Sequence, residues 1–127
     1  MLKEAIICIV IIIGILGLEF YTQNFTSKTV NEITGIFDKI EENISRQDVE
    51  QIKNEIKNIN SKWEEKQKKL AYYIEHDELE KVHTAIVLMK SYSETQDYPS
   101  AMAALEEGKF VLEHIQEKNA FNLQNIF

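Results

Sequence analysis

Hydrophobic and polar positions divide this chain at Glu19. Before it, Ala5–Leu18 reads AIICIVIIIGILGL, fourteen residues without charge, amide or hydroxyl. After it, the apolar residues recur at helical spacing. Val30, Ile33, Phe37, Ile40 and Ile44 are separated by steps of three and four, one stripe of an amphipathic helix. That helix is predicted to begin near Asn24 and to run on from the apolar stretch. The next stripe is Val49, Ile52, Ile56, Ile59, Trp63 and Leu70, out of phase with the first by a step of five. Ser45 with Asp48 reads as a capping box between the two. A break so short predicts antiparallel neighbours. The second helix is predicted from Arg46 to about Glu75, with Lys66 where its stripe calls for an apolar residue.

Leu79, Val82, Ile86 and Met89 form a third stripe. Leu79 follows Leu70 by nine residues, which at about 100° per residue puts it on the opposite face. A turn is therefore predicted at His76–Asp77, with Asp77 and Glu80 as cap and box. The third helix should end near Glu94. Gln96–Pro99 reads as a loop, with Pro99 in the first turn of a fourth helix. That helix is predicted to run to about Lys118 and to bury Ala101, Ala104, Leu105, Gly108, Val111, Leu112 and Ile115. Its small residues suit close approach of another helix. Asn119 is the expected C-cap, and the tail with Phe121, Leu123, Ile126 and Phe127 is expected to dock on the bundle.

The stretch Ala5–Leu18 rises only about 21 Å as a helix, short of a hydrocarbon core of roughly 30 Å. Extending it from Leu2 to Tyr21 restores about 30 Å, with Lys3 and Tyr21 suited to the two interfaces. Its ten Ile, Val and Leu residues favour insertion by roughly 3–6 kcal/mol, enough to offset Glu4 and Glu19 at the boundaries. A cleaved signal peptide is the competing reading. The best cleavage position, after Gly17, puts Ile15 where a small residue is wanted. Cys8 lies inside the apolar run and does not resemble a lipoprotein cysteine. Gly14 and Gly17 do not make a GxxxG motif. The retained anchor is preferred, with residues 1–22 as anchor and 23–127 as one helical domain. A long following domain translocates largely regardless of charge, so the expected topology is a cell-membrane protein with its N-terminus cytoplasmic and the domain extracytoplasmic.

Composition narrows the classes. One proline and four glycines in 127 residues argue against an all-β fold. The single cysteine leaves no disulfide framework or Cys-based metal site. Fourteen basic against 21 acidic side chains give a net charge of −7, which argues against nucleic acid or an anionic bilayer surface as partner. The sequons Asn24–Thr26 and Asn43–Ser45 read as chance occurrences.

Candidate chemistry is sparse. Glu80-x-x-His83 has the spacing of a di-iron half-site, with His76 four residues before Glu80 and His114 beside Glu113. A ferritin-type centre needs a second E-x-x-H, and the chain has none. His83 reads as a half-exposed helical histidine, and His76 as a favourable charge at a helix C-terminus. No G-x-S-x-G, no P-loop and no Cys–His pair outside the apolar stretch is present, and Glu106–Glu107 is ordinary in a glutamate-rich helical chain. Trp63 is in phase with its stripe and reads as core. Phe110 lies about half a turn from the fourth helix's core face, so either the tail covers it or a partner does. No catalytic, cofactor-binding or metal-ligating residue is assigned, no cofactor is expected, and the chain is read as a non-enzyme.

Trp63, Glu75–Leu79 (EHDEL), Lys109–Ile115 (KFVLEHI) and the ending Leu123-x-Asn125-Ile126-Phe127 together resemble a family of small bacterial proteins, domain of unknown function 4363, mostly from clostridia and related Gram-positives. The resemblance covers nearly the whole chain. It implies a membrane anchor with a helical remainder, hints at a membrane partner, and brings no catalytic residues. The expected architecture is all-α: an N-terminal transmembrane helix followed by an antiparallel bundle of about four helices. The expected role is a non-enzymatic interaction or accessory subunit of a membrane complex, partnered by a membrane protein or by itself. The alternative is an extracytoplasmic ligand- or metal-binding sensor domain.

Overall fold

The structure is a computed structural model that describes the backbone of residues 1–126 and the side chains of residues 1–120. It consists of α1 (Leu2–Ser45), α2 (Val49–Leu70), α3 (His76–Glu94) and α4 (Tyr98–Ile126), with no strand among the described residues. The apolar stretch and the first amphipathic stripe are one helix. No glycine or proline lies between Leu18 and Ile33, so nothing interrupts the hydrogen-bond ladder. At 44 residues, α1 is about 66 Å long. Its first half projects alone, and its second half is one of the four helices of the bundle.

The four helices form an antiparallel ring. Each packs on its neighbours in the chain, and α4 closes the ring on α1. The α2–α3 seam is the loosest of the four. The predicted stripes fill the core: Phe37, Ile59, Trp63, Val82, Met89 and Leu105 are all fully buried. Val49 is the exception, 40% exposed where the seam opens. Gly108 is the most tightly packed of the four glycines. A Cβ there would lie 2.7 Å from the Phe37 ring and 3.3 Å from the Ala85 methyl, so the missing side chain is what lets α1, α3 and α4 converge.

Two of the three turns share one geometry. Gln47 and Gln96 adopt left-handed φ values of 58° and 59°. In each, the following aspartate amide bonds back to a carbonyl five residues earlier: Asp48 to Asn43 at 3.0 Å and Asp97 to Tyr92 at 2.9 Å. This is the Schellman ending, built here on glutamine instead of glycine. Each aspartate then caps the next helix, Asp48 Oδ1 accepting from the Gln51 amide at 3.2 Å and Asp97 Oδ1 from the Ser100 amide at 3.3 Å. Ser45, predicted to be the cap, is instead the last residue of α1.

The third turn, Ala71–Glu75, lies earlier than predicted. The chain leaves α2 at Leu70, whose carbonyl accepts from the Tyr73 and Ile74 amides at 3.1 and 2.9 Å. The Glu75 carbonyl then receives the Glu78 and Leu79 amides. Asp77 and Glu80 form no capping box and lie inside α3, Asp77 in its first turn where the helix dipole favours an acid. At the other end, α4 continues past Lys118 to Ile126, and Asn119 is helical rather than a C-cap. Gly108 is the last glycine and no proline follows Pro99, so no strong stop signal interrupts that stretch. The expected docking of Phe121, Leu123, Ile126 and Phe127 lies outside the described side chains.

Candidate functional site

No residue in the apolar half of α1 is buried. An eighteen-residue window within it is long and apolar enough to cross a membrane, and none of it is buried. Burial begins at Thr26, one turn beyond Tyr21. The end of the bundle from which this helix projects is therefore the first candidate site, formed by Thr22–Thr29 of α1, the α2–α3 turn and the last turns of α4.

Tyr73 is the pivot of that end. The turn at Ala71–Glu75 aims its phenol at α1, where it donates to the Thr22 carbonyl at 3.1 Å and lies 2.7 Å from the buried Thr26 hydroxyl. The oxygen thus bridges one helical turn of α1. Burial pushes the Tyr73 pKa up, the Thr26 hydrogen bond opposes that, and nearby Tyr21 adds a smaller upward push. Beside it, Lys66 and Lys69 place their ammonium groups 5.5 and 5.6 Å from the centre of the Phe25 ring, a cation–π arrangement, and Phe25 stacks on Tyr21. This resolves the oddity of Lys66 in an apolar stripe. Its stem packs inward while its ammonium reaches Phe25 and Glu32. On the other side Gln116 donates to the Ser27 hydroxyl at 3.1 Å, and Lys118 pairs with Glu75 at 3.2 Å.

Glu78 is the one buried carboxylate among the described residues, 8% exposed, with one oxygen lacking any hydrogen-bond partner. Its other oxygen lies 3.8 Å from His114 Nε2 on α4. Periodicity does not mark this burial, because Glu78 is adjacent to the stripe residue Leu79 and not in it. Thr29, adjacent to Val30, was missed for the same reason, whereas Thr26 lies one turn before Val30 on the stripe's own face and was passed over as a polar residue.

The histidines divide. His76 and His83 line one shallow recess with Gln67, Leu79 and Glu80, and His76 Nε2 is 3.4 Å from Glu80 Oε1. His114 is on α4 against Glu78. Among the described residues, no group of three His, Cys, Asp or Glu side chains is arranged to hold a metal ion. Trp63 is buried in the core.

Two further apolar surfaces are exposed. Phe110 is 71% exposed on the outer face of α4. The tail expected to cover it lies outside the described side chains. At the opposite end from the apolar helix, the α2–α3 seam opens into a groove of about 290 Å³ lined by Val49, Ile52, Ile56, Ser93 and Tyr98. Elsewhere on the surface Lys109 of α4 bonds Asp38 of α1 at 2.7 Å. That bond, with the surrounding acids, raises the lysine pKa against the opposing effect of burial.

Comparison with known proteins gives one match. The sequence profile described as Domain of unknown function (DUF4363) matches residues 20–126. The match begins where the apolar stretch ends and spans the whole bundle. No curated protein and no solved structure matches the chain.

Proposed function

The chain belongs to the DUF4363 family, and on that premise we propose that it is a membrane-anchored, non-enzymatic interaction subunit. In this reading the apolar half of α1 spans the cell membrane, with the N-terminus cytoplasmic. The bundle stands outside the cytoplasm and docks a membrane protein or a second copy of the chain. The continuity of α1 carries the proposal. A flexible linker would let the domain sample a wide volume, whereas an unbroken helix fixes the bundle's height and rotation against the bilayer. A fixed pose is what docking onto another membrane protein requires. Phe110, exposed on the outer face of α4, is the best-placed anchor residue for such a partner.

The α2–α3 groove supports a second reading as a ligand-binding sensor domain. Its volume is near the lower limit of small-molecule pockets, and its exposed surface is mostly apolar, although Glu50, Lys53, Lys57, Lys90 and Glu94 border it.

In-cell photocrosslinking of the full chain from position 110 separates the readings. The interaction reading expects one recurring membrane protein, or the chain itself, to be captured. It is abandoned if position 110 captures no specific partner and the protein leaves mild detergent as a lone monomer.

A further inference from the structure

We propose that the α2–α3 turn and the last turn of α2 form a headgroup-contacting surface that seats the bundle on anionic phospholipid. The proposal rests on the reading that α1 spans the bilayer. If Leu2–Tyr21 fills the hydrocarbon core, Tyr21 marks its edge and Phe25 lies about 6 Å beyond it. The headgroup layer of one leaflet is about 5–8 Å thick. The Lys66 and Lys69 ammonium groups stand over the Phe25 ring and are therefore at headgroup depth. Tyr73 fixes this height by bonding Thr22 and Thr26, one turn of α1 above the edge. Its neighbour Tyr72 is 90% exposed at the tip of the same turn, where an interfacial aromatic belongs.

The charge is sorted accordingly. The chain carries 21 acids, yet residues 20–31 and 66–74 contain none, and together they hold Lys28, Lys66, Lys68 and Lys69. Glu32 shares part of its charge with Lys66, while Lys68 and Lys69 have no acidic partner among the described residues. The other acids at this end are Glu19 of α1 at the membrane boundary, Glu75, Asp77 and Glu78 on the α3 side, where Glu75 is paired with Lys118 and Glu78 faces His114, and Glu113 and Glu117 of α4. The net acidity of the chain thus averages over two unlike sides of one end, and the α1–α2 edge is the side that faces phosphate. Each lysine near an anionic surface strengthens attachment about fivefold, falling away within a Debye length of about 8 Å.

The test uses the full chain with Cys8→Ser, spin-labelled separately at Ile12→Cys and Tyr72→Cys. It is reconstituted in bilayers of phosphatidylcholine alone or with phosphatidylglycerol. Collision with oxygen and with a water-soluble nickel chelate reads the depth of each label. The expected result is a label at 12 in hydrocarbon in both bilayers, and a label at 72 several-fold less accessible to nickel when phosphatidylglycerol is present. Lys68→Glu with Lys69→Glu should return position 72 to water while leaving position 12 unchanged. A label at 72 equally exposed in both bilayers, with 12 in hydrocarbon, overturns the headgroup surface and leaves the anchor standing. A label at 12 outside the hydrocarbon overturns both.

Discussion

Tyr73→Phe removes one oxygen from the joint between the apolar helix and the bundle and almost nothing else. The ring is retained, so the loss is confined to two hydrogen bonds, to the Thr22 carbonyl and the Thr26 hydroxyl. Each is worth about 1 kcal/mol net, and the Thr26 oxygen, which is buried, loses a partner it cannot replace with water. Thr26 can recover part of this by turning its hydroxyl to the Thr22 carbonyl of its own helix. The expected cost is about 1.5 kcal/mol, a fall in melting temperature of roughly 6–12 °C for a domain of this size. Trp63, the single tryptophan and fully buried, reports unfolding of the detergent-solubilised full chain without a label. A double-mutant cycle with Thr26→Val sharpens the test. Replacing both partners with apolar groups is far less costly than orphaning one, so the double variant should cost at least 0.5 kcal/mol less than the sum of the singles. A neutral Tyr73→Phe, or strict additivity in the cycle, would refute the view that this hydroxyl ties α1 to the α2–α3 turn.

Three further outcomes are expected. Gly108→Ala should destabilise by about 1 kcal/mol, since displacing the Phe37 ring from 2.7 Å outweighs the gain in helix propensity; Phe37→Leu in the same chain should recover part of it, read by urea midpoint. Gln47→Gly and Gln96→Gly should each stabilise the bundle by about 0.5–1 kcal/mol, read as a higher urea midpoint, because glycine carries no penalty at a left-handed φ. Alkaline titration should weaken the bundle from about pH 10 upward. Both Tyr73 and Lys109 have folded pKa values above their ordinary 10.0 and 10.5, so the stability they contribute is full below those values and lost as pH rises through the folded ones; in Tyr73→Phe the early part of that loss should vanish.

Periodicity made much of this molecule legible. The stripes from Val30 to Ile40, from Ile52 to Leu70, from Leu79 to Met89 and from Ala101 to Ile115 are the buried faces, because the 3.6-residue repeat ties apolar spacing directly to one side of a helix. The length and composition of the first stretch marked a helix able to span a membrane for an equally local reason. The turns were less legible. Gln47 and Gln96 gave no signal, since glutamine is not the residue expected at a left-handed C′ position, and the caps moved to the aspartates that follow.

What the sequence could not decide was which distant residues meet. The order of helices around the ring, the burial of Glu78 against His114, and the meeting of Phe25 with Lys66 and Lys69 all depend on chain segments about 40 residues apart. A helical repeat specifies which face turns inward, and it is silent on which helix stands opposite. That choice is set by packing: Gly108 admits the Phe37 ring, and the turn at Ala71–Glu75 ends α2 at the level where Tyr73 reaches α1. Net charge is silent on position for the same reason. A sum over the chain discards position, and only the fold puts the acid-free segments 20–31 and 66–74 side by side at the foot of the apolar helix.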